Sequence, residues 1–303
     1  MSLPESYLTY PKRAYGMDQS LYAWRQQAER AKVNWPNGQA VAAMVVVPIE
    51  HHTLTPSGKP FKHPGAMVTP YPDLRHYTTR DYGNRVGVFR ILKALKAAGV
   101  KATFPINANQ LERLKPLIDA IIADGHEIAA YGLSTDHIHF GALDRGTEEA
   151  WVAEVCARFD AAGLKPRAWL SPARQQSFNT LEIIRANGFD ICLDWEHDDV
   201  PVDMATDAGV VQAVPLSNEI DDRNLLIEKR QSEDSWAAQV LEAVDYLKSE
   251  ADRFGGRSIG LTLTPYVSGL PFRAHAVRRI LDAIGGDAGV WSATASEIAD
   301  AVR

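Results

Sequence analysis

Two hydrophobic periods alternate along the chain after residue 40. Residues 41–48 form a continuous apolar run, which is typical of a strand that is buried on both faces of a parallel sheet. From residue 85 onward, segments with apolar residues at helical spacing alternate with short apolar runs. Seven or eight strand–helix repeats of this kind predict an α/β protein with a (β/α) barrel rather than an open sheet.

The pattern gives each element a range. The predicted strands are 41–48, 101–106, 127–130, 167–170, 189–193, 210–214, 258–263 and 289–291. The predicted helices are 85–98, 110–123, 147–161, 179–187, 235–254, 273–284 and 295–302. Residues 51–84 show no periodic element. Because long loops in compact domains are usually functional or disordered, the aromatic residues and histidines of this segment favour a packed loop that faces a substrate.

The chain divides into two parts. Residues 1–40 are rich in Tyr, Trp, Pro, Gln and Arg and show little periodicity. They predict an N-terminal arm that wraps a surface, joins a subunit contact or is loosely ordered. Residues 41–303 predict a single barrel domain.

Composition narrows the possible partners. The net charge of the 303 residues is −6, and the chain has no run of Lys or Arg, so binding to nucleic acid is not expected. No apolar run approaches the ~20 residues of a membrane helix, and the first residues lack the features of a secretion signal. Cys156 and Cys192 are too few for a disulfide framework or a Cys-rich zinc site. These features predict a cytoplasmic protein that acts on a small molecule.

Polar and aromatic residues gather where the predicted strands end. In a barrel the loops that follow the strands converge at one face, so these residues indicate the place of a site without naming its reaction. They are Glu50, His51, His52, Asn107, Tyr131, Ser171, Arg174, Asp194, Trp195, Glu196, His197, Asp198, Asp199, Thr264 and Tyr266.

Five motifs, in the correct order, resemble the polysaccharide deacetylase (NodB-homology) family. Residues 124–132, DGHEIAAYG, are similar to its "DGHE(I/V)…HG" motif. Residues 82–90, YGNRVGVFR, and 198–201, DDVP, resemble motifs of the allantoinase and cyclic-imide hydrolase branch. Residues 171–174 and 261–265 stand where the family's "R-x-P" and last histidine motifs belong. The resemblance implies a distorted (β/α)7–8 barrel of the NodB-homology type, a hydrolase of C–N bonds in a small cyclic amide, imide or ureide, and a homo-oligomer, a tetramer or dimer.

The metal-binding motif of the family is degenerate in this sequence. The family holds a divalent metal with one Asp and two His, and uses a second Asp as base and a late His as acid. The residues at these five positions are Pro48, Glu50, Tyr131, Thr135 and Thr264. A zinc site needs three protein donors and an open fourth position, and Pro, Tyr and Thr do not supply these donors at neutral pH. The sequence therefore predicts no metal and no other cofactor.

The metal-free interpretation assigns a role to each candidate. Glu50 is the general base, with a pKa that burial raises toward a useful range, and its structural alternative is a carboxylate paired with an Arg or a His. Tyr131 and Thr264 donate hydrogen bonds to a ring carbonyl, Arg174 binds an anion or a carbonyl edge, and Asp194 orients Arg174 or His137. The residues expected to bind substrate are His51, His137, Trp195 and Tyr266, the last two by stacking on a flat ring.

Two other functions stay open. In the first, a metal-dependent deacetylase binds Zn²⁺ through relocated ligands, namely Glu50, His51 and His137. In the second, the chain is a non-catalytic descendant of the deacetylases that only binds a ligand. Elemental analysis and sensitivity to a chelator separate the first of these from the metal-free hydrolase.

Overall fold

The computed structural model describes residues 21–23, 25–56 and 70–303, and in this part of the chain helices wrap a curled sheet of nine strands. The strands are β1 (Val41–Val46), β2 (Ala102–Ile106), β3 (Glu127–Ala130), β4 (Ala168–Trp169), β5 (Ile191–Cys192), β6 (Val202–Thr206), β7 (Gly209–Ala213), β8 (Arg257–Thr262) and β9 (Val290–Ser292). The α-helices are α1 (Leu74–Tyr82), α2 (Val88–Ala98), α3 (Lys115–Ala123), α4 (Arg145–Ala161), α5 (Thr180–Ala186), α6 (Glu233–Phe254), α7 (Ala274–Gly286) and α8 (Ala295–Ala301). Two π-helical turns, Gly83–Gly87 and Arg223–Glu228, complete the elements that position the site.

The sheet has the order β6-β7-β5-β4-β3-β2-β1-β8, and β9 pairs with the first half of β1. Every pairing is parallel except that of β6 with β7. A backbone hydrogen bond of 3.2 Å from Ser217 N to Gly260 O joins the segment after β7 to β8, so the curled sheet approaches closure there. This architecture confirms the predicted distorted (β/α) barrel.

Alternate residues of β1 face opposite sides of the sheet, as strand geometry requires. Ala42, Met44 and Val46 pack inside the barrel with Tyr131 and residues of the neighbouring strands. The odd-numbered residues of β1 pack outward in the layer between strands and helices. Each fully buried aliphatic side chain contributes about 1.5–3 kcal/mol, so this alternation sets the register of the strand firmly.

Most predicted elements form within a few residues of their expected ranges, but two were missed. Residues 51–84 were expected to hold no element, yet α1 begins after Asp73, whose side chain accepts a hydrogen bond from His76 N (3.0 Å). Arg80 is the one fully buried side chain of α1, so the helix has no apolar stripe for a pattern to reveal. The antiparallel strand β6 was also missed. Residues 57–69 of the expected loop lie outside the described residues.

Two glycines bring the loop after β8 against the π turn that precedes α2. A Cβ on Gly87 or on Gly269 would overlap the carbonyl oxygen of Pro265. Only glycine permits this close approach, and it places Tyr266 beside the residues that follow β1.

The described part of the N-terminal arm packs against the barrel. Trp35 is 3% exposed, and its indole Nε1 donates a 2.7 Å hydrogen bond to Arg257 O, at the start of β8. Residues 1–20 and 24 of the arm lie outside the described residues, so its role in an oligomer stays a prediction. In the described part of the chain, no helix combines the length and the apolar character needed to span a membrane.

Candidate active site

A cavity of about 320 Å³ opens at the carboxyl ends of the strands. Its lining combines small apolar residues with two arginines and several polar groups. The lining residues are Pro48, Tyr131, Leu170, Ala173, Arg174, Asn218, Glu219, Asp221, Arg223, Asn224, Glu228 and Thr262. A larger groove, of about 460 Å³, lies between α3 and α4 and does not include these residues. The polar cavity at the strand ends is therefore the candidate site.

Glu50 lies directly behind two residues of the cavity wall. Its side chain is 3% exposed, and its Oε1 accepts hydrogen bonds from the Tyr131 hydroxyl (3.2 Å) and from Arg223 Nη1 (3.1 Å). The backbone of Glu50 is also held, because its carbonyl oxygen accepts from Asn84 Nδ2 (2.8 Å) and Gln110 Nε2 (3.0 Å). The carboxylate is thus buried and held in place, and the side chains of Tyr131 and Arg223 lie between it and the cavity.

The second oxygen of Glu50 faces a histidine. His52 Nε2 lies 3.1 Å from Glu50 Oε2, and its Nδ1 lies 3.2 Å from the Thr135 hydroxyl. Burial lowers the pKa of His52 and so favours the neutral ring, although Glu50 acts in the opposite direction. Because an ionised carboxylate only accepts hydrogen bonds, the proton of the neutral ring lies on Nε2, facing Glu50. Both oxygens of Glu50 therefore have partners.

Arg223 is the first residue of the second π turn, and its side chain extends to Glu50. The preceding residue, Asp222, is fully buried, and its Oδ2 accepts from Thr264 N (2.6 Å) and from the Ser268 hydroxyl. These contacts attach the turn that carries Arg223 to the loop after β8. Burial opposes the charge of Arg223, but Glu50 together with Tyr266, Tyr131 and Asp221 outweighs burial and holds the pKa of the guanidinium above its ordinary value.

Two neutral phenols surround the ion pair. Burial, reinforced by the charge of Glu50, raises the pKa of both Tyr131 and Tyr266 well above the ordinary value. The Tyr266 ring lies 6.1 Å from the His52 ring, and the Arg80 guanidinium lies over its face at 5.4 Å. Both hydroxyls keep their protons at any physiological pH, so Tyr131 acts as a hydrogen-bond donor.

Arg174 enters the cavity from a strained turn. Ala173 and Arg174 both have left-handed backbone conformations, with φ of 57° and 52°, which are costly for residues with a Cβ. Arg174 Nη1 donates to Leu216 O (2.7 Å), and Nη2 donates to Thr262 Oγ1 (3.1 Å). The side chain therefore ties the loop after β4 to the segment after β7 and to the end of β8.

Known proteins share both part of this sequence and its fold. The family model described as polysaccharide deacetylase matches residues 70–192, which include β2 to β5 and Tyr131. This segment is therefore similar to polysaccharide deacetylases. A protein of Schizosaccharomyces pombe, whose curated name places it provisionally among the polysaccharide deacetylases, is 23% identical over 297 residues, covering 88% of this chain and 91% of that protein.

Two solved structures have a fold similar to that of this chain. They are a probable polysaccharide deacetylase from Pseudomonas aeruginosa PAO1 and PuuE allantoinase. Each aligns with a TM-score of 0.81 and 21% identity, over 92% of this chain and 97% of its own. At this identity the likeness shows the fold, and it confirms the distorted barrel of the NodB-homology type.

The residues at this site do not fit the divalent metal that the family resemblance implies. Tyr131 and Thr135 stand at the positions of the two ligand histidines, and Arg223 places a permanent positive charge 3.1 Å from Glu50. A cation beside that guanidinium would be repelled in a medium of low dielectric constant. Within residues 21–23, 25–56 and 70–303, no group of three His, Cys, Asp or Glu side chains is placed to hold a metal ion. The relocated set of Glu50, His51 and His137 is therefore not assembled.

Four of the expected site residues lie elsewhere. Asp194 was expected to orient Arg174 or His137, but its carboxylate accepts from Ser171 N (2.6 Å) and Gln176 Nε2 (2.5 Å). His51 is partly buried and does not line the cavity, and burial lowers its pKa, with a smaller effect from His52. The His137 ring contacts Ser134 Oγ (2.7 Å) and the edge of Trp151. Trp195 donates to Gln176 Oε1 (3.2 Å) and does not line the cavity.

Thr264 and Tyr266 lie close to the site in different ways. Thr264 is fully buried, its backbone amide binds Asp222, and its hydroxyl has no hydrogen-bond partner among the described residues. Thr262, two residues earlier, lines the cavity instead. Tyr266 is buried against His52 and Arg80, so it supports the ion pair rather than offering an open stacking surface.

The sequence analysis does not predict Arg80 or Arg223, and it names His52 only as a polar residue near the end of a strand. Glu50 and His52 share the inward parity of Ala42, Met44 and Val46, whereas His51 has the outward parity. Arg223 lies in an irregular segment with no hydrophobic period, and nothing local connects it with Glu50.

Proposed function

We propose that this protein hydrolyses a C–N bond in a small cyclic amide, imide or ureide without a metal ion, with Glu50 as the general base. One observation carries the proposal: Oε1 of the buried Glu50 lies 3.2 Å from Tyr131 and 3.1 Å from Arg223, and both of these residues line the cavity. The similarity to polysaccharide deacetylases and the fold shared with an allantoinase support amide hydrolysis as the general class.

The chemistry needs a base and donors for the developing oxyanion. The oxygen of a water molecule forms a bond to the carbonyl carbon, and its proton moves to Glu50. The negative charge on the carbonyl oxygen is stabilised by donors of the cavity wall, for which Tyr131 and Arg174 are placed. The C–N bond then breaks, and the departing nitrogen takes the proton from Glu50.

The size of the cavity favours a small substrate. A volume of about 320 Å³ is at the lower end of ligand pockets and suits a single ring with few substituents. Imide and ureide rings are also more electrophilic than acetamides, so their hydrolysis depends less on a metal ion. Apolar contact with such a ring is available from Pro48, Leu170 and Ala173.

The test is a screen of the full-length protein against hydantoin, succinimide, allantoin and N-acetylglucosamine oligomers, with chelator and with added zinc. We expect turnover of a cyclic compound that neither treatment changes, and loss of at least ~100-fold in kcat for Glu50→Gln. Glu127→Gln is the matched control, because Glu127 lies at the start of β3, at the opposite end of the barrel. Activity that requires zinc, or a Glu50→Gln variant with full activity, would contradict the proposal.

A second candidate, a protein that only binds its ligand, is favoured by one observation. Both oxygens of Glu50 already have partners, as in a purely structural carboxylate. This candidate predicts that one of the ring compounds raises the melting temperature while none is hydrolysed. Turnover that Glu50→Gln abolishes while binding persists decides for the hydrolase.

A further inference from the structure

The cavity wall exposes hydrogen-bond donors and conceals the acceptor that they serve. Arg223 and Tyr131 line the cavity, and each donates to the same oxygen, Oε1 of Glu50. The carboxylate itself is 3% exposed and is not part of the lining. A ligand that enters the cavity therefore meets the two donors before it meets the carboxylate.

The carbonyl oxygen of an amide competes with Glu50 for these donors. As the carbonyl develops negative charge, a guanidinium in a buried site stabilises it far more than water would. If the Nη1–H of Arg223 or the Tyr131 hydroxyl turns to the substrate, Oε1 loses that hydrogen bond. A carboxylate that loses a hydrogen bond and a neighbouring positive charge accepts a proton more readily.

We infer that Arg223 is a catalytic residue that exchanges Glu50 for the carbonyl oxygen of the substrate, so that substrate binding itself releases the base. This inference rests on the proposed amide hydrolysis. The exchange makes and breaks hydrogen bonds only. In the step that follows, the oxygen of water bonds to the carbonyl carbon, its proton passes to Oε1, and the charge on the carbonyl oxygen is paired by Arg223. When the C–N bond breaks, the nitrogen takes that proton.

The position of Arg223 is secured independently of Glu50. Asp222 binds Thr264 N and Ser268, so the π turn stays attached to the loop after β8 when the guanidinium changes partner.

Arg80 and Arg174 lie on other elements, and the charge of each opposes that of Arg223 across the site. Repulsion from these two buried cations favours an oxyanion as the new partner of Arg223.

The first experiment tests the pair without any substrate. Arg223→Met leaves a buried carboxylate without its cation and should lower the midpoint of thermal unfolding by about 5–10 °C. The double variant Glu50→Gln/Arg223→Met should recover at least half of that loss, because neither charge remains. Single-variant losses that simply add would show that the two side chains are not coupled, which would overturn the inference.

The second experiment tests catalysis by chemical rescue. For the compound that the screen identifies, Arg223→Ala should reduce kcat/KM by at least ~100-fold, and millimolar guanidinium chloride should restore at least ~10-fold in a saturable way. Potassium chloride and urea at the same concentrations should restore nothing. Arg257→Ala is the control variant for unspecific effects of guanidinium chloride. Arg257 is also a buried arginine, but it pairs with Asp199 at the opposite end of the barrel.

The third readout concerns the exchange itself. If substrate withdraws Arg223 from Glu50, the acid limb of the kcat profile lies at higher pH than the acid limb of kcat/KM, since the two report the bound and the free enzyme. Coincident limbs would overturn the exchange. If the wild type hydrolyses a compound and the Arg223→Ala variant keeps a tenth or more of the wild-type kcat/KM, the catalytic role of Arg223 is overturned. The proposed function would still stand. No turnover of any compound would overturn the proposed function and the catalytic role with it.

Discussion

Glu50 and Arg223 form an ion pair of 3.1 Å, although 173 positions separate them along the chain. Their side chains are 3% and 12% exposed, and the pair connects the end of β1 with the π turn after β7, across the mouth of the barrel. Burial of two charges costs several kcal/mol for each ion, so such a pair is a poor way to stabilise a fold. Its place beside the cavity is better explained by chemistry.

Tyr131→Phe removes one of the two donors on Glu50 Oε1 and leaves the ring in place. Because Arg223 still pairs the carboxylate, we expect the free energy of unfolding to fall by only about 1–2 kcal/mol. If the hydroxyl also binds the carbonyl oxygen, kcat should fall ~10- to 100-fold with little change in KM. Denaturant titration and steady-state kinetics check both values. Tyr246→Phe, on an exposed side chain, is the control, and equal effects of the two substitutions would refute the role of Tyr131.

Arg174→Lys breaks the contacts that tie three segments at the cavity. A lysine ammonium cannot reproduce the planar arrangement that binds Leu216 O and Thr262 Oγ1 together, so the free energy of unfolding should fall by about 1–3 kcal/mol. Arg158→Lys on the surface of α4 should change it by less than ~0.5 kcal/mol, because Arg158 makes an exposed pair with Glu154. Thermal or urea unfolding of both variants measures the two losses of unfolding free energy. Similar small losses would show that the Arg174 side chain does not hold the three segments together.

Asp222 should make the stability of this protein depend on pH. Burial, followed by the charge of Asp221, raises the pKa of Asp222 from its ordinary value of 3.8 to about 7. The folded state therefore holds this proton more tightly than the unfolded state. Its contribution is complete below about pH 4 and is lost as the pH rises through about 7.

Asp222→Asn isolates this effect, because an amide cannot ionise and its oxygen can still accept from Thr264 N and Ser268. Relative to the variant, the wild type should lose up to ~4 kcal/mol of unfolding free energy between about pH 4 and 7, and nothing further above that range. Urea titrations of both proteins across this range measure the difference. Parallel profiles would show that Asp222 is ionised in the folded protein throughout.

Gly87→Ala should be strongly destabilising although the residue lies in a helical turn. A methyl group there overlaps the carbonyl oxygen of Pro265, and backbone cannot move aside as a side chain can, so we expect a loss of about 2–4 kcal/mol. Gly286→Ala, at the end of α7, meets no atom within 4 Å and should gain about 0.5–1 kcal/mol. Thermal unfolding of the pair tests the contrast, and a neutral Gly87→Ala would show that the two loops can separate.

Strand parity shows how much of the site was accessible from the sequence. The inward phase of Ala42, Met44 and Val46 extends through residue 48 to Glu50, and the same argument places Tyr131 inside the barrel. Both are predicted site residues, and the structure brings them together. His51 has the outward phase of Ile49, and only its place near the end of a strand favours it as a site residue. Asp194 shares the phase of the outward Cys192, and the two side chains are in contact.

The amino-acid sequence by itself determined the barrel, the end of the barrel that carries the site and the residues that end β1 and β3. These features depend on hydrophobic period and on local turns, which act within a few residues of one another. Only the tertiary structure decided that Arg223 meets Glu50 and that Arg174 bridges three segments. Those contacts arise when the curled sheet brings together loops that are far apart in the chain. A hydrophobic pattern along the chain does not show which distant loops meet.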